Sequence, residues 1–120
     1  MSKKTPLIFV CSPYGGLYDN MKRAASICKA VDDVGGQPIA PHIHYPQFMS
    51  EDVEGRRMGL EFSKNILSKC DALFYQGFGS VAVSKGMRGE INFCINNNIT
   101  VLSNLEALEA FIKEFNNAKD

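Results

Sequence analysis

The sequence predicts an α/β protein, a single domain with an open parallel sheet of four to five strands and helices on both faces. Three observations carry this reading. Short apolar runs alternate with longer stretches of helical period along the whole chain. The runs are continuously apolar rather than alternating with polar residues, as strands buried on both faces require. Glycine and proline clusters separate the two kinds of segment. A chain of 120 residues suits one such domain, residues 1–120, with enough surface removed from water to form one core.

The elements follow in order. Pro6–Cys11 (PLIFVC) is the first strand, and the turn-rich Ser12-Pro13-Tyr14-Gly15-Gly16 follows it. Met21, Ala24, Ala25, Cys28 and Val31 recur at helical spacing until Gly35-Gly36 stops the helix. Gln37–Ala40 is a second short strand, running into a loop over Pro41-His42-Ile43-His44-Tyr45-Pro46. Met58, Phe62 and Ile66 at i, i+4, i+8 mark the apolar stripe of the next helix, with Ser50 or Asp52 as its cap. Asp71–Gln76 (DALFYQ) is the third strand, and a Gly/Ser loop, Gly77–Ser84, leads into a helix carrying Met87, Ile91, Cys94 and Ile95. Ile99–Leu102 is the fourth strand, and Leu105, Leu108, Ile112 and Phe115 line a last helix. Right-handed crossovers between such strands give the order 2-1-3-4, a flavodoxin- or Rossmann-like arrangement.

Composition narrows the function. Thirteen basic and thirteen acidic residues balance, which argues against a nucleic-acid binder, since that needs a basic excess. No apolar run reaches the length of a membrane span, and no signal-peptide core follows the opening Met-Ser-Lys-Lys-Thr-Pro, so a cytoplasmic protein is expected. Cys11, Cys28, Cys70 and Cys94 are scattered without a CxxC pair. They are expected to be small buried hydrophobes, with neither a disulfide framework nor a metal site.

In sheets of this order, ligands bind beyond the strand C-termini where the order reverses. That crevice gathers Ser12–Gly16, Pro41–Tyr45 and Gly77–Glu90. Cys11 opens the span of a phosphatase loop, but Leu17 stands where its arginine is needed. Receiver domains are excluded because Asp32-Asp33 end a helix rather than follow the first strand. Ser84-Lys85-Gly86-Met87-Arg88-Gly89-Glu90-Ile91 is the informative stretch. Gly86 and Gly89 would let a ligand approach a helix start whose amides and dipole favour an anion. Ser84 adds a hydroxyl donor, and Arg88 can reach the same anion although it is expected to be solvated, like Arg56 and Arg57. An ionised Glu90 at the floor of a sugar pocket suits attack on an anomeric carbon. The plainer alternative has Ser84 capping the helix and Glu90 in its solvated first turn. His42 and His44 either meet a base or phosphate or serve the loop, one capping and one exposed. Asp71 is expected to fix neighbouring backbone amides.

Ser-x-Gly-Met-x-x-Glu-Ile after a strand beginning Cys-Asp-Ala-Leu-Phe resembles the nucleoside 2-deoxyribosyltransferase-like superfamily, in particular its small members from phage and bacterial genomes. The superfamily includes the 2'-deoxynucleoside 5'-phosphate N-hydrolases. The resemblance extends over the opening strand and Gly loop, the Ala-rich helix, Gly36-x-Pro38-x-x-Pro41, the Cys70-Asp71 strand and the Glu90 helix. It implies that Glu90 is the nucleophile taking up the sugar and that Ser84 contacts a 5'-phosphate. Ser12, Tyr14, Gly15 and Gly16 would form the loop that wraps base and sugar, joined in the site by Gly77, Gly86 and Met87. Two departures accompany it. The family tyrosine of the first strand falls on Ile8 or Phe9, so Tyr14 would substitute from the loop, and the family's aspartate that serves the leaving base falls on Ser63.

Two functions are therefore expected. The first is an N-glycosidic hydrolase or transferase acting on a nucleoside or nucleoside 5'-monophosphate, without cofactor or metal. The second is a catalytically weak protein that senses or sequesters a nucleotide in the same pocket. A homodimer or higher oligomer is expected as well, because Leu60 lies off the Met58–Phe62–Ile66 stripe and leaves surplus apolar surface.

Overall fold

Ile8, Phe9, Val10 and Cys11 are all completely buried, which a strand achieves only at the centre of a sheet covered on both faces. The computed structural model, which describes residues 5–12, 18–44, 52–76 and 85–117, has this arrangement. Its elements are β1 (Leu7–Cys11), α1 (Tyr18–Asp33), β2 (Gln37–Ile39), α2 (Pro41–His44), α3 (Val53–Leu67), β3 (Ala72–Tyr75), α4 (Lys85–Asn96), β4 (Thr100–Leu102) and α5 (Leu105–Asn117). The four strands pair in parallel in the predicted order, β2-β1-β3-β4. Pro38 lies in β2, an edge strand, where its missing N–H costs no ladder bond.

Side chains of β1 alternate between two layers. Ile8 and Val10, with Ala72, Phe74 and Leu102, pack on Ile27 and Val31 of α1 and on Leu108 and Ile112 of α5. Phe9, Cys11 and Leu73 pack on Leu67 of α3 and on Met87 and Cys94 of α4. The start of the sheet is tied by Asp71, whose Oδ2 accepts from Leu7 N at 2.7 Å while its own N–H donates to Leu7 O at 2.8 Å. Asp71 thus has the backbone-fixing role that the sequence suggests.

Local chemistry sets the helix ends. Asp52 caps α3, accepting from Gly55 N at 2.8 Å, and Asn104 Oδ1 accepts from Ala107 N at 2.7 Å at the start of α5. Helix α1 closes with Gly35 N donating to Asp32 O and Gly36 N to Val31 O, with Gly35 at φ +99°. Helix α4 ends similarly, with Asn98 at φ 58° and Ile99 N bonded to Cys94 O.

Three expectations need correction. Pro41–His44 is a short helix, α2, rather than loop. Ala25 is exposed, and Ile27 instead fills the α1 layer. The buried face of α3 is Gly55, Gly59, Ser63 and Leu67, with Ile66 half-buried against the Phe9 layer, rather than a Met58–Phe62–Ile66 stripe. Met58 and Phe62 are 38% and 37% exposed, while Leu60 turns inward to lie beside Gly89 of α4. The bare backbone of Gly89 receives Leu60 where α3 meets α4, and a hydrophobic count does not register the small buried residues of α3.

A Cβ placed on Gly36 would lie 2.8 Å from Val31 Cγ1 and 3.1 Å from Ile8 Cγ1, both in the core. Gly36→Ala is therefore expected to destabilise the fold by about 1–3 kcal/mol through overpacking. Urea unfolding reads this as a lower midpoint at an unchanged slope, and an unshifted midpoint would contradict the packing described.

Candidate active site

The reversal of strand order falls between β1 and β3, so the crevice opens where Cys11 pairs with Tyr75. Ser12 and Gln76 are the residues that leave these two strands. Glu90 reaches the same place from the second turn of α4 and is only 1% exposed. The plainer reading of a solvated first-turn glutamate is thereby overturned.

Burying an ionised carboxylate costs several kcal/mol, of the order that only donors can offset. A donor is in place among the described residues. The Cys11 thiol lies 3.2 Å from Glu90 Oε1 and 4.0 Å from the Met87 carbonyl oxygen. Burial, then the charge of Glu90 and the hydrogen bond to it, holds the Cys11 thiol well above its ordinary value of 9.0, so it remains S–H at neutral pH. Cys94, one turn beyond Glu90 on α4, is pushed up to about 11 by burial and then by Glu90. Cys70 is pushed up to about 12, chiefly by burial and then by Asp71. All four cysteines are free.

Ser12 is 1% exposed, and its Oγ has no hydrogen-bond partner among the described residues; the same holds for Ser63. An unmade bond on a buried hydroxyl costs about 1–3 kcal/mol. At Ser12 that hydroxyl sits beside the crevice, where an arriving ligand can complete it.

The remaining expected residues divide. Met87 is buried in the α4 layer, while Arg88 is exposed. Gly86 is exposed, and no described residue lies within 4 Å of the place its Cβ would take. Gly89 serves a different purpose: its Cβ position lies 3.4 Å from Leu60 Cδ1, and its bare backbone lets α3 pack. His44 is exposed at the end of α2, and His42 belongs to the same short helix. Tyr14, Gly15, Gly16, Gly77 and Ser84 lie outside the described residues. Sequence reasoning missed Cys11 as a site residue. The available signal was its place at the C-terminal end of β1, in phase with Phe9 and therefore on the α4 side.

Among the described residues, no group of three or more His, Cys, Asp or Glu is arranged to hold a metal ion. No helix among them is long and apolar enough to cross a membrane. An open groove of about 420 Å³, lined by Val34, Glu109, Ile112, Lys113 and Asn116, lies against α5 and includes none of the expected site residues.

Residues 6–104 match the family described as a domain of unknown function, DUF7768, and the chain belongs to it. No curated protein matches the chain.

The raised thiols give the fold a defined alkaline limit. In the unfolded chain they ionise near 9.0, whereas folded Cys94 and Cys70 keep their protons to about 11 and about 12. The unfolded state then releases protons first, so stability is level below that range and falls as pH climbs from about 9 to 12. Urea midpoints measured under reducing conditions should follow this course. The fall should be shallower in Cys94→Ala and Cys70→Ala than in the parent protein; equal slopes in all three would count against it.

Proposed function

We propose that this member of the DUF7768 family breaks or exchanges the N-glycosidic bond of a nucleoside or nucleoside 5'-monophosphate, with Glu90 as nucleophile. The observation that carries the reading is the buried Glu90 carboxylate at the β1–β3 reversal of an open parallel sheet. Carboxylates are seldom buried without a task, and this is where such sheets bind ligands. The resemblance to the nucleoside 2-deoxyribosyltransferase-like superfamily supplies the reaction class.

In the first step a Glu90 oxygen bonds to the anomeric carbon as the carbon–nitrogen bond breaks, and the base departs with that electron pair and takes up a proton. In the second, water or another base attacks the same carbon, and the carboxylate is released. The start of α4 at Gly86, where the helix dipole has its positive end, suits a 5'-phosphate. Ser84 would add a hydroxyl there, and the Ser12 hydroxyl, which has no partner among the described residues, suits a sugar or base atom.

Ser63 favours a second reading. The position that the resemblance gives to an acid holds a buried hydroxyl, which cannot protonate a leaving base at neutral pH. General acid catalysis contributes about 10²–10⁴-fold. A protein lacking it would bind nucleotides and turn them over slowly, as a sensor or a sequestering protein does.

Incubation with a panel of nucleosides and their monophosphates, followed by chromatography, separates the two readings. Free base or exchanged base supports the enzyme, while intact ligand recovered from a tight complex supports the binding protein. Glu90→Gln should abolish base release while leaving ligand affinity within about threefold, because the amide keeps the shape but is no nucleophile. Undiminished base release from Glu90→Gln would rule out this mechanism.

We propose also that the protein works as a twofold dimer through the outer side of α3. The surplus apolar surface expected at Leu60 lies instead at Met58 and Phe62. Met58→Glu should convert a dimer into a monomer in light scattering. A parent protein that is already monomeric at micromolar concentration would remove this proposal.

A further inference from the structure

Cys11 and Glu90 stand 79 positions apart, so their contact is produced by the fold and not by local sequence. Both are buried, and the sulfur lies 3.2 Å from Oε1, close for a thiol donor. Cys11 is the last residue of the central strand and pairs with Tyr75 of β3. Its side chain has a single heavy-atom torsion, which makes the sulfur a well-fixed point. Glu90, by contrast, reaches its place through three torsions, the last of them broad and roughly two-fold unless something holds it.

Two other roles for the thiol are disfavoured by its surroundings. Nucleophilic or redox chemistry needs a thiolate and access, and Cys11 has neither, being fully buried and held protonated. A purely space-filling role leaves the direction of the contact unexplained, since the sulfur meets the carboxylate oxygen rather than only the apolar neighbours Phe9 and Leu73 of its layer.

We propose that Cys11 is a positioning residue: its S–H donates to Glu90 Oε1 and fixes the rotation of that carboxylate at the floor of the crevice. The kinetic consequence rests on the reading of Glu90 as the reacting group; the hydrogen bond does not.

Infrared spectroscopy of the ligand-free protein tests the bond itself, because S–H stretching falls in a window free of other protein bands. The parent protein should show a low-frequency, intense component that is absent from Cys11→Val. In Glu90→Gln, whose amide oxygen is a weaker acceptor, the component should move to higher frequency. A spectrum unchanged in either variant overturns the proposal, and if Cys11→Val fails to fold, Glu90→Gln alone decides. Kinetics on whichever substrate releases base supply the second arm. Cys11→Ser, which keeps a donor, should retain kcat within about threefold, while Cys11→Val should lose about tenfold to a hundredfold in kcat with a smaller change in KM. A space-filling role gives the opposite order, with valine tolerated and the buried serine hydroxyl penalised; that order too overturns the proposal. If the parent protein releases no base from any substrate, the functional reading fails, and the infrared result still decides whether the thiol holds the carboxylate.

Discussion

The complete burial of β1 is the constraint from which the remainder of the structure follows. A strand with Ile8, Phe9, Val10 and Cys11 all inaccessible must be bonded along both edges and covered on both faces. That requirement places β2 and β3 on either side, sends α1 and α5 to one layer and α3 and α4 to the other, and opens the crevice at the end of β1. It also makes the strand's last side chain point into the layer from which Glu90 comes. The site is a consequence of the core rather than an addition to it.

Much of this was legible in the sequence because it rests on local signals. Continuous apolar runs indicated the strands, Gly35-Gly36 the end of α1, and Asp52 was one of two caps suggested for α3. The strand order followed from strand–helix alternation and right-handed crossovers. Where the reading went astray, the decisive residues carried no hydrophobic signal. Gly55, Gly59 and Ser63 form the buried face of α3, yet periodicity pointed to Met58 and Phe62, the larger side chains on its outer side. Where the buried positions of a helix are small, weighting by size favours the larger side chains outside them.

The candidate site was legible in part for the same reason. Glu90 and the glycines near it form one contiguous stretch with a helix-start signature, and Glu90 proved to be buried. The stretch did not reveal that its two glycines differ, Gly86 having no described neighbour at its Cβ position and Gly89 accommodating Leu60. Nor could it reveal Cys11, because that contact joins the first strand to the fourth helix described here across 79 positions. A tyrosine-like partner was sought in the loop after β1, at Tyr14, when a donor already stood at the end of the strand itself.

The nature of that donor bears on what Glu90 can do. A guanidinium or ammonium at this distance would form an ion pair, and in a buried setting much of the carboxylate's negative charge would be spent on its partner. A protonated thiol is a weak neutral donor. It can hold an oxygen in place without itself supplying a positive charge. The arrangement is self-consistent, since the negative charge of Glu90, together with burial, keeps the thiol protonated and therefore able to donate. On the proposed reading of Glu90 as nucleophile, such a donor orients the carboxylate without itself adding a counter-charge.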